Sequence, residues 1–217
     1  MALAIFDLDN TLLGGDSDYL WGEFLVENDY VVSKYHQKMN EVFYQQYLAG
    51  TMDMVEFLAF QLKPLADNDI AKLHRWRETY LSQKIAPIML SAARELIKKH
   101  QHAGDTLLII TATNDFITAP IADQLGIANL IATEAEMIDG QYTGKVAGTP
   151  SYQEGKVTRL NEWLAEQHIS LEGSYFYSDS HNDLPLLKLV DHPVAVDPDD
   201  TLRQFAEQQS WKVISLR

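Results

Sequence analysis

Hydrophobic and polar positions along the chain fall into three regimes. The first is a short apolar run, Leu3 to Phe6, that breaks off at Asp7-Leu8-Asp9. An uninterrupted run of this kind reads as a buried strand that delivers its end into a polar loop. From about 17 to 84 the pattern turns helical, with amphipathic stretches at about 17–28, 32–48, 51–62 and 68–84 and no strand alternation. In the second stretch Val32, Tyr35, Met39, Val42, Phe43 and Tyr47 recur at helical spacing, and Gly50 stands where a glycine stops a helix. Thr51 is the expected N-cap of the third stretch, and Pro64 is expected to separate it from the fourth. The tyrosines and methionines of 35–60 and Trp21 are expected inside the bundle, with Arg75-Trp76-Arg77 on a solvated face.

After Pro87 helices and strands alternate. Helices are expected at about 88–101, 115–125, 154–167, from 183 and at 199–209. Buried strands are expected at 107–110, 130–132, 175–177, 194–196 and 213–214. Asp139-Gly140, between Met137-Ile138 and Tyr142, marks a small β-hairpin. Such alternation predicts an α/β fold, a doubly wound parallel sheet. One spacing divides the chain. Asp7 and Ile110 end consecutive core strands about 100 residues apart, whereas a strand–helix–strand unit needs only about 30 or slightly more. The surplus matches the helical block, which is therefore expected as a cap (15–85) inserted into a core of 1–14 and 86–217, over the sheet edge where such folds bind ligands.

Composition narrows the function. The 217 residues carry 31 Asp+Glu against 17 Lys+Arg, a formal net charge of −14. That surplus argues against nucleic acid and anionic membranes as partners. The absence of cysteine removes disulfides, thiolate nucleophiles and Cys-ligated metals. No apolar stretch approaches the ~18 residues of a membrane span, and the N-terminus lacks a signal-peptide pattern, so a cytoplasmic location is expected. Nothing implies a partner protein.

Polar residues gather at the strand ends: Asp7-Leu8-Asp9-Asn10-Thr11, Thr111-Ala112-Thr113-Asn114, Glu154-Gly155-Lys156 at a helix start, and Ser178-Asp179-Ser180-His181-Asn182-Asp183. At one edge they would assemble carboxylates, a hydroxyl and an ammonium. That set suits phosphoryl transfer through a carboxylate. One Asp attacks phosphorus in line. Asp7 and Asp179 with a backbone carbonyl leave Mg²⁺ the water-rich oxygen site it prefers. Lys156 and Thr111 meet the phosphoryl oxygens, and Asp9 carries the acid–base work. Asn114 and Asp115 are expected to cap a helix, and Asp16, at the entry of the insertion beside Asp7, is expected to border the substrate.

These four segments, in order, resemble the motifs of the haloacid dehalogenase (HAD) superfamily, and the resemblance spans essentially the whole chain. The insertion between the first two motifs is similar to that of the phosphoserine-phosphatase-like branch with its helical cap. Phe6 to Leu13, Gly15-Asp16-Ser17-Asp18 with Trp21, Ile110 to Asn114, and Tyr177 to Ser180 with Asn182 to Leu187 look like bacterial HAD-type histidinol-phosphate phosphatases. The resemblance implies Asp7 as nucleophile and Asp9 as acid/base. It also implies Mg²⁺ on Asp7, the Asp9 carbonyl and Asp179, with Asp183 holding Lys156 or a metal-bound water. Thr111, Ala112, Lys156, Asn182 and Asp16 are the residues expected at the substrate, a small phosphorylated metabolite. Thr111-Ala112-Thr113 departs from the Ser-Gly-Gly of phosphoserine phosphatases, which favours histidinol phosphate over phosphoserine. A phosphoserine or broad small-metabolite phosphatase and, more distantly, a non-catalytic phospho-acceptor switch are the alternatives; the switch is disfavoured by Asp9, because such domains lack an acid two residues after the nucleophile.

Overall fold

A computed structural model describes residues 2–217, and among them seven strands form one sheet. The strands are β1 (Leu3–Phe6), β2 (Thr106–Asn114), β3 (Asn129–Ile138), β4 (Gln141–Ala147), β5 (Tyr175–Ser178), β6 (His192–Val196) and β7 (Lys212–Ile214), in the order β4-β3-β2-β1-β5-β6-β7. All neighbours run parallel except β3 and β4, the hairpin turned by Asp139-Gly140. Both of those residues have positive φ, 51° and 76°, as a tight two-residue turn requires. The chain starts in the middle of the sheet, builds outward through β2 and β3, then returns to the other side of β1 with β5. That reversal opens a crevice at the carboxyl ends of β1, β2 and β5, where ligands bind in open α/β sheets.

Helices α5 (Ser91–Ala103), α6 (Asp115–Leu125), α7 (Glu154–Gln167), α8 (Leu184–Leu187) and α9 (Asp200–Gln208) connect the strands. β1 is inaccessible on both faces, and its side chains alternate between two buried clusters. Ala4 and Phe6 pack with Ile109, Tyr177 and Ile97, and Leu3 and Ile5 with Leu108, Phe176 and Leu160. An apolar run with no polar alternation is what burial on two faces demands.

Between β1 and β2 lie α1 (Ser17–Glu27), α2 (Ser33–Leu48), α3 (Met54–Ala66) and α4 (Ile70–Tyr80), followed by a π-helical turn (Leu81–Ile85) and a 3-10 turn (Ala86–Ile88). The two ends of this insertion are pinned together: Leu13 bridges Met89, and the Gly14 N–H donates to the Ile88 carbonyl at 2.7 Å. The Tyr80 hydroxyl donates to the Ser17 carbonyl at 2.6 Å, tying the exit to the entry.

Three local expectations need correction. The N-cap of α3 is Asp53, not Thr51: its carboxylate accepts from the N–H groups of Val55 and Glu56 at 2.9 and 3.1 Å. Pro64 lies inside α3 and does not end it. It sits in the last turn, where it forgoes the N–H bond to the Phe60 carbonyl, and the Asn68 side chain donates to the Pro64 carbonyl at 2.9 Å. Of Arg75-Trp76-Arg77 only Arg75 is fully exposed. Trp76 stacks on Tyr30 with ring centroids 3.9 Å apart, and Arg77 donates to the Phe116 carbonyl at 2.7 Å while lying over its ring. Trp21 is buried in the core, as its pattern indicates.

Candidate active site

Asp7 follows β1, and its N–H continues the β5 ladder by donating to the Tyr177 carbonyl at 2.9 Å. The next turn is fastened by apolar burial. Leu8, Leu12 and Leu13 are fully inaccessible, and the Leu8 carbonyl accepts from both Leu12 and Leu13 N–H groups. Asn10 adopts a positive φ of 56°, which its short polar side chain tolerates. This turn aims the Thr11 hydroxyl at two carboxylates, Asp7 Oδ2 at 3.3 Å and Asp179 Oδ1 at 3.2 Å. The Asp179 N–H donates back to Thr11 Oγ1 at 3.1 Å. Thr11 therefore joins the β1 and β5 loops.

Lys156 reaches the same point from α7. Its Nζ is 2.8 Å from Asp7 Oδ1 and 2.7 Å from Asp183 Oδ1, and all three side chains are buried. Asp183 also accepts from the Ser178 hydroxyl at 2.6 Å. The start of α7 can approach because residue 155 is glycine: a Cβ there would collide with the Pro150 carbonyl oxygen. Gln153 before it has φ 47°, a strained entry held by the Gly155 N–H bond to Tyr152.

Asp9 lies across the crevice, partly accessible. Its carboxylate accepts from the Ser17 N–H at 2.7 Å and the Thr113 hydroxyl at 2.8 Å. Thr111 is buried on β2, its hydroxyl accepting from the Thr113 N–H at 3.2 Å, with Ala112 beside it at the cavity wall. Asp16 caps α1, accepting from the Tyr19 N–H at 2.8 Å, and borders the same cavity.

Electrostatics follow from enclosure. Burial pushes Asp7 up to about 7 against the pull of Lys156, with Asp183 and Asp9 adding repulsion. Asp9 is likewise pushed up to about 7, by burial and then by Asp16, while the Ser17 and Thr113 hydrogen bonds pull it down. Asp179 is raised by burial and by the charges of Asp7 and Asp183. Asp16 and Asp18 are raised chiefly by burial. Burial would lower Lys156, but Asp183 and Asp7 outweigh it and hold its pKa above the ordinary lysine range. Six carboxylates (Asp7, Asp9, Asp16, Asp18, Asp179 and Asp183) face one ammonium, a surplus of acidic groups in and around the crevice.

That surplus is a test of whether the site suits a divalent cation. Asp7 and Asp179 offer hard oxygens within reach of one hydroxyl. Among the described residues no cluster of three or more His, Asp or Glu side chains could ligate a metal unaided. Two carboxylates completed by water and substrate oxygens suit Mg²⁺, which keeps several waters, rather than an all-protein cage. The residues fit the ion.

Asn182, expected at the substrate, and Asn114 and Asp115, expected to cap a helix, all bond to other parts of the chain. Asn182 accepts from Tyr152 Oη and Gln153 Nε2 at 3.2 and 3.0 Å, and donates to the Tyr47 carbonyl at 3.1 Å. Its side chain thereby ties the Asp179–Asp183 loop to α2. Asn114 caps α6 through the Ile117 N–H, as expected, whereas Asp115 accepts from Ala135 N–H on β3.

A narrow cavity of about 50 Å³ reaches Asp7 and Asp9. Its far wall comes from the insertion, with Asn40, Phe43, Tyr44 and Tyr47 of α2 and Phe57 and Gln61 of α3. Of the tyrosine and methionine stripe of 35–60, expected as bundle core, Tyr44, Tyr47 and Met52 line the cavity instead, and Tyr35 is mostly exposed. The available signal was Asn40 and Gln61, two amides on otherwise apolar helix faces. Thr11, Thr113 and Ser178, which hold the acids, were also not singled out; Thr11 and Ser178 could have been found as hydroxyls within two residues of a site carboxylate, whereas Thr113 meets Asp9 only across the fold.

Comparison with known proteins bears on this geometry. The haloacid dehalogenase-like hydrolase family matches residues 4–188. A histidinol-phosphatase of Neisseria meningitidis is 45% identical, with 99% of each chain covered. A phosphoserine phosphatase of Mycobacterium tuberculosis is 32% identical over all of this chain and 71% of its own. Among solved structures, a Bordetella pertussis protein of unknown function superposes with a TM-score of 0.94 at 41% identity, covering 100% of this chain and 99% of that one. A phospho-aspartyl intermediate analogue of phosphoserine phosphatase superposes with a TM-score of 0.72 at 18% identity, covering 100% and 93%; at that identity it bears on the fold alone.

Proposed function

Since this chain belongs to the haloacid dehalogenase-like hydrolases and is a phosphoric monoester hydrolase, we propose that it hydrolyses histidinol phosphate with Mg²⁺, through an aspartyl-phosphate on Asp7. The Asp7 carboxylate attacks phosphorus as the ester oxygen departs, and Asp9 gives that oxygen its proton. Asp9 then takes a proton from water, which attacks the acyl phosphate and frees Asp7. A carboxyl whose pKa is near 7 suits both halves of this exchange. Lys156 and Thr111 neutralise and hydrogen-bond the phosphoryl oxygens, and Asp183 holds Lys156 in position. Asp7, the Asp9 carbonyl and Asp179 would hold Mg²⁺, whose charge keeps Asp7 ionised and offsets the repulsion between anions. In this reading residues 15–85 are a cap that keeps water from the acyl phosphate, over a core of 1–14 and 86–217.

The observation that carries the substrate is the cavity wall. Asp16, Asp18, Asp7 and Asp9 line it alongside Tyr44 and Phe57, with no lysine or arginine among the described lining residues. An ammonium or imidazolium is favoured there, and a leaving group bearing a carboxylate is repelled. The relatives include phosphatases named for histidinol phosphate and for phosphoserine; the charge of this wall favours the first. The test is phosphate release from histidinol phosphate, phosphoserine, sugar phosphates and nucleotides, with Mg²⁺ and with EDTA. Comparable kcat/KM across the panel, or a preference for phosphoserine, would overturn the substrate; full turnover in EDTA would overturn the metal.

A further inference from the structure

Two polar atoms at the cavity wall have no hydrogen-bond partner. Asp18, in the first turn of α1, is 7% exposed, and its Oδ1 accepts from nothing; Gln61, on α3, is 2% exposed, and its Oε1 accepts from nothing. They belong to different helices, and both line the cavity that opens onto Asp7 and Asp9. The other cavity acids are engaged, Asp16 by the Tyr19 N–H and Asp9 by Ser17 and Thr113, and the unpaired Ser17 hydroxyl next to Asp18 does not line the cavity. Buried acceptors are nearly always paired, because an unpaired one forfeits its hydration without return. An apolar residue of the same volume would be the more stable choice at either position. Two independent orphans in one cavity wall therefore indicate acceptors reserved for something that enters the cavity.

We propose that Asp18 and Gln61 form the subsite that reads the leaving group, by accepting N–H donors from an amine or imidazole at the end remote from the phosphate. The inference rests on the phosphatase reading above, and deepens it by assigning selectivity to these two residues. Asp18 supplies an acceptor that an entering cation would ionise, and Gln61 supplies a neutral acceptor fixed by burial. A leaving group with hydroxyls alone could donate to both but would bring no positive charge to Asp18. A leaving group with no donor would bury both acceptors unpaired, which is how polar sites reject such analogues.

The test compares kcat/KM for histidinol phosphate and O-phosphoethanolamine, which carry N–H donors, with glycerol 3-phosphate and p-nitrophenyl phosphate, which do not. Asp18→Asn and Gln61→Met are each expected to lower the ratio of histidinol phosphate to glycerol 3-phosphate by about 10- to 100-fold. Gln61→Glu, which keeps an acceptor, is expected to hold that ratio within about threefold of wild type. Ratios unmoved in Gln61→Met and Asp18→Asn, or equal losses on all four substrates, overturn the subsite. Should wild type fail on histidinol phosphate, the substrate assignment falls alone. The subsite is then judged on phosphoethanolamine over glycerol 3-phosphate, and a wild-type ratio below one overturns it. A binding measurement guards against folding artefacts: added histidinol should raise the Tm of wild type and not that of Gln61→Met. Equal shifts in both proteins also overturn the proposal. Without ligand, Gln61→Met is expected to melt at or above the wild-type temperature, whereas a structural role for the amide predicts a fall.

Discussion

Replacing Asp7 by Asn should destroy turnover and, in the absence of metal, stabilise the protein, but only at neutral and alkaline pH. Asp7 is buried, and enclosure raises its pKa from 3.8 to about 7. Between those values the folded state holds a proton that the unfolded chain has released, so metal-free stability falls as pH rises from about 4 to about 7. At about 1.4 kcal/mol per unit, the full shift corresponds to about 4 kcal/mol of destabilisation once both states are ionised. Asn has the same shape and no charge. Lys156 keeps Asp183 at 2.7 Å, so the substitution does not strand a buried ammonium. Allowing for relaxation around the site, the expected gain is about 2–4 kcal/mol at pH 8 and close to zero below pH 4.5. For a chain of this length that is roughly 5–12 °C in Tm. Urea unfolding of both proteins in EDTA at pH 4.5, 6 and 8 measures the difference; carboxylates remote from Asp7 cancel between them, and relief of Asp179 from the Asp7 charge adds to the gain in the same direction. A variant less stable than its parent at pH 8 would refute the reasoning. So would a gain of equal size at pH 4.5, since the stabilisation would then not come from removing a charge.

Other outcomes follow from the same geometry. Mg²⁺ should raise the Tm more at pH 8 than at pH 5, because it must displace protons from Asp7 and Asp179 at the lower pH, and Asp179→Asn should remove most of that shift; a shift independent of pH would contradict the assignment. Asp9→Asn should lower kcat by about 10²- to 10⁴-fold in a phosphate-release assay, with near-normal activity counting against its acid–base role. Thr113→Val removes a hydrogen bond that favours the ionised form of Asp9. Its pH–rate profile should move to higher pH by about one unit, and an unmoved profile would place the titration elsewhere. Gly155→Ala sets a methyl group against the Pro150 carbonyl, so it should displace Lys156 and depress both Tm and kcat; wild-type values for both would show that the loop gives way freely.

The α/β frame was legible because each of its signals is local. β1 needed only an apolar run of four residues, α6 and α7 begin and end where capping and periodicity put them, and Asp139-Gly140 specifies its own turn. The acids of the candidate site were legible for a related reason. A carboxylate at the end of a buried strand has no structural purpose there, so Asp7 and Asp179 stand out against their surroundings. Pro64 and Thr51 misled because a sequence offers several residues able to stop or cap a helix, and packing of Leu62 and Leu65 into the core selects among them.

The wall of the cavity was illegible on different grounds. Helical periodicity reports which side of a helix turns inward, and it is blind to whether that side meets protein or space. Phe43 and Phe57 satisfy the pattern of core residues, and Phe43 packs against both Phe57 and Phe60, yet Phe43 and Phe57 also face the cavity. What separates a wall from a core is polar content that a core would not tolerate. Asn40 spends its amide on the Tyr19 carbonyl, Gln61 leaves an oxygen unpaired, and Asp18 does the same. In a packed interior each unpaired atom would cost about 1–3 kcal/mol with nothing returned. A phosphatase that must recognise what lies beyond the phosphate can recover that cost only on binding. The polar residues that interrupt an apolar face are therefore the part of a sequence that distinguishes a substrate wall from a core, and here they fall on three different helices of one insertion.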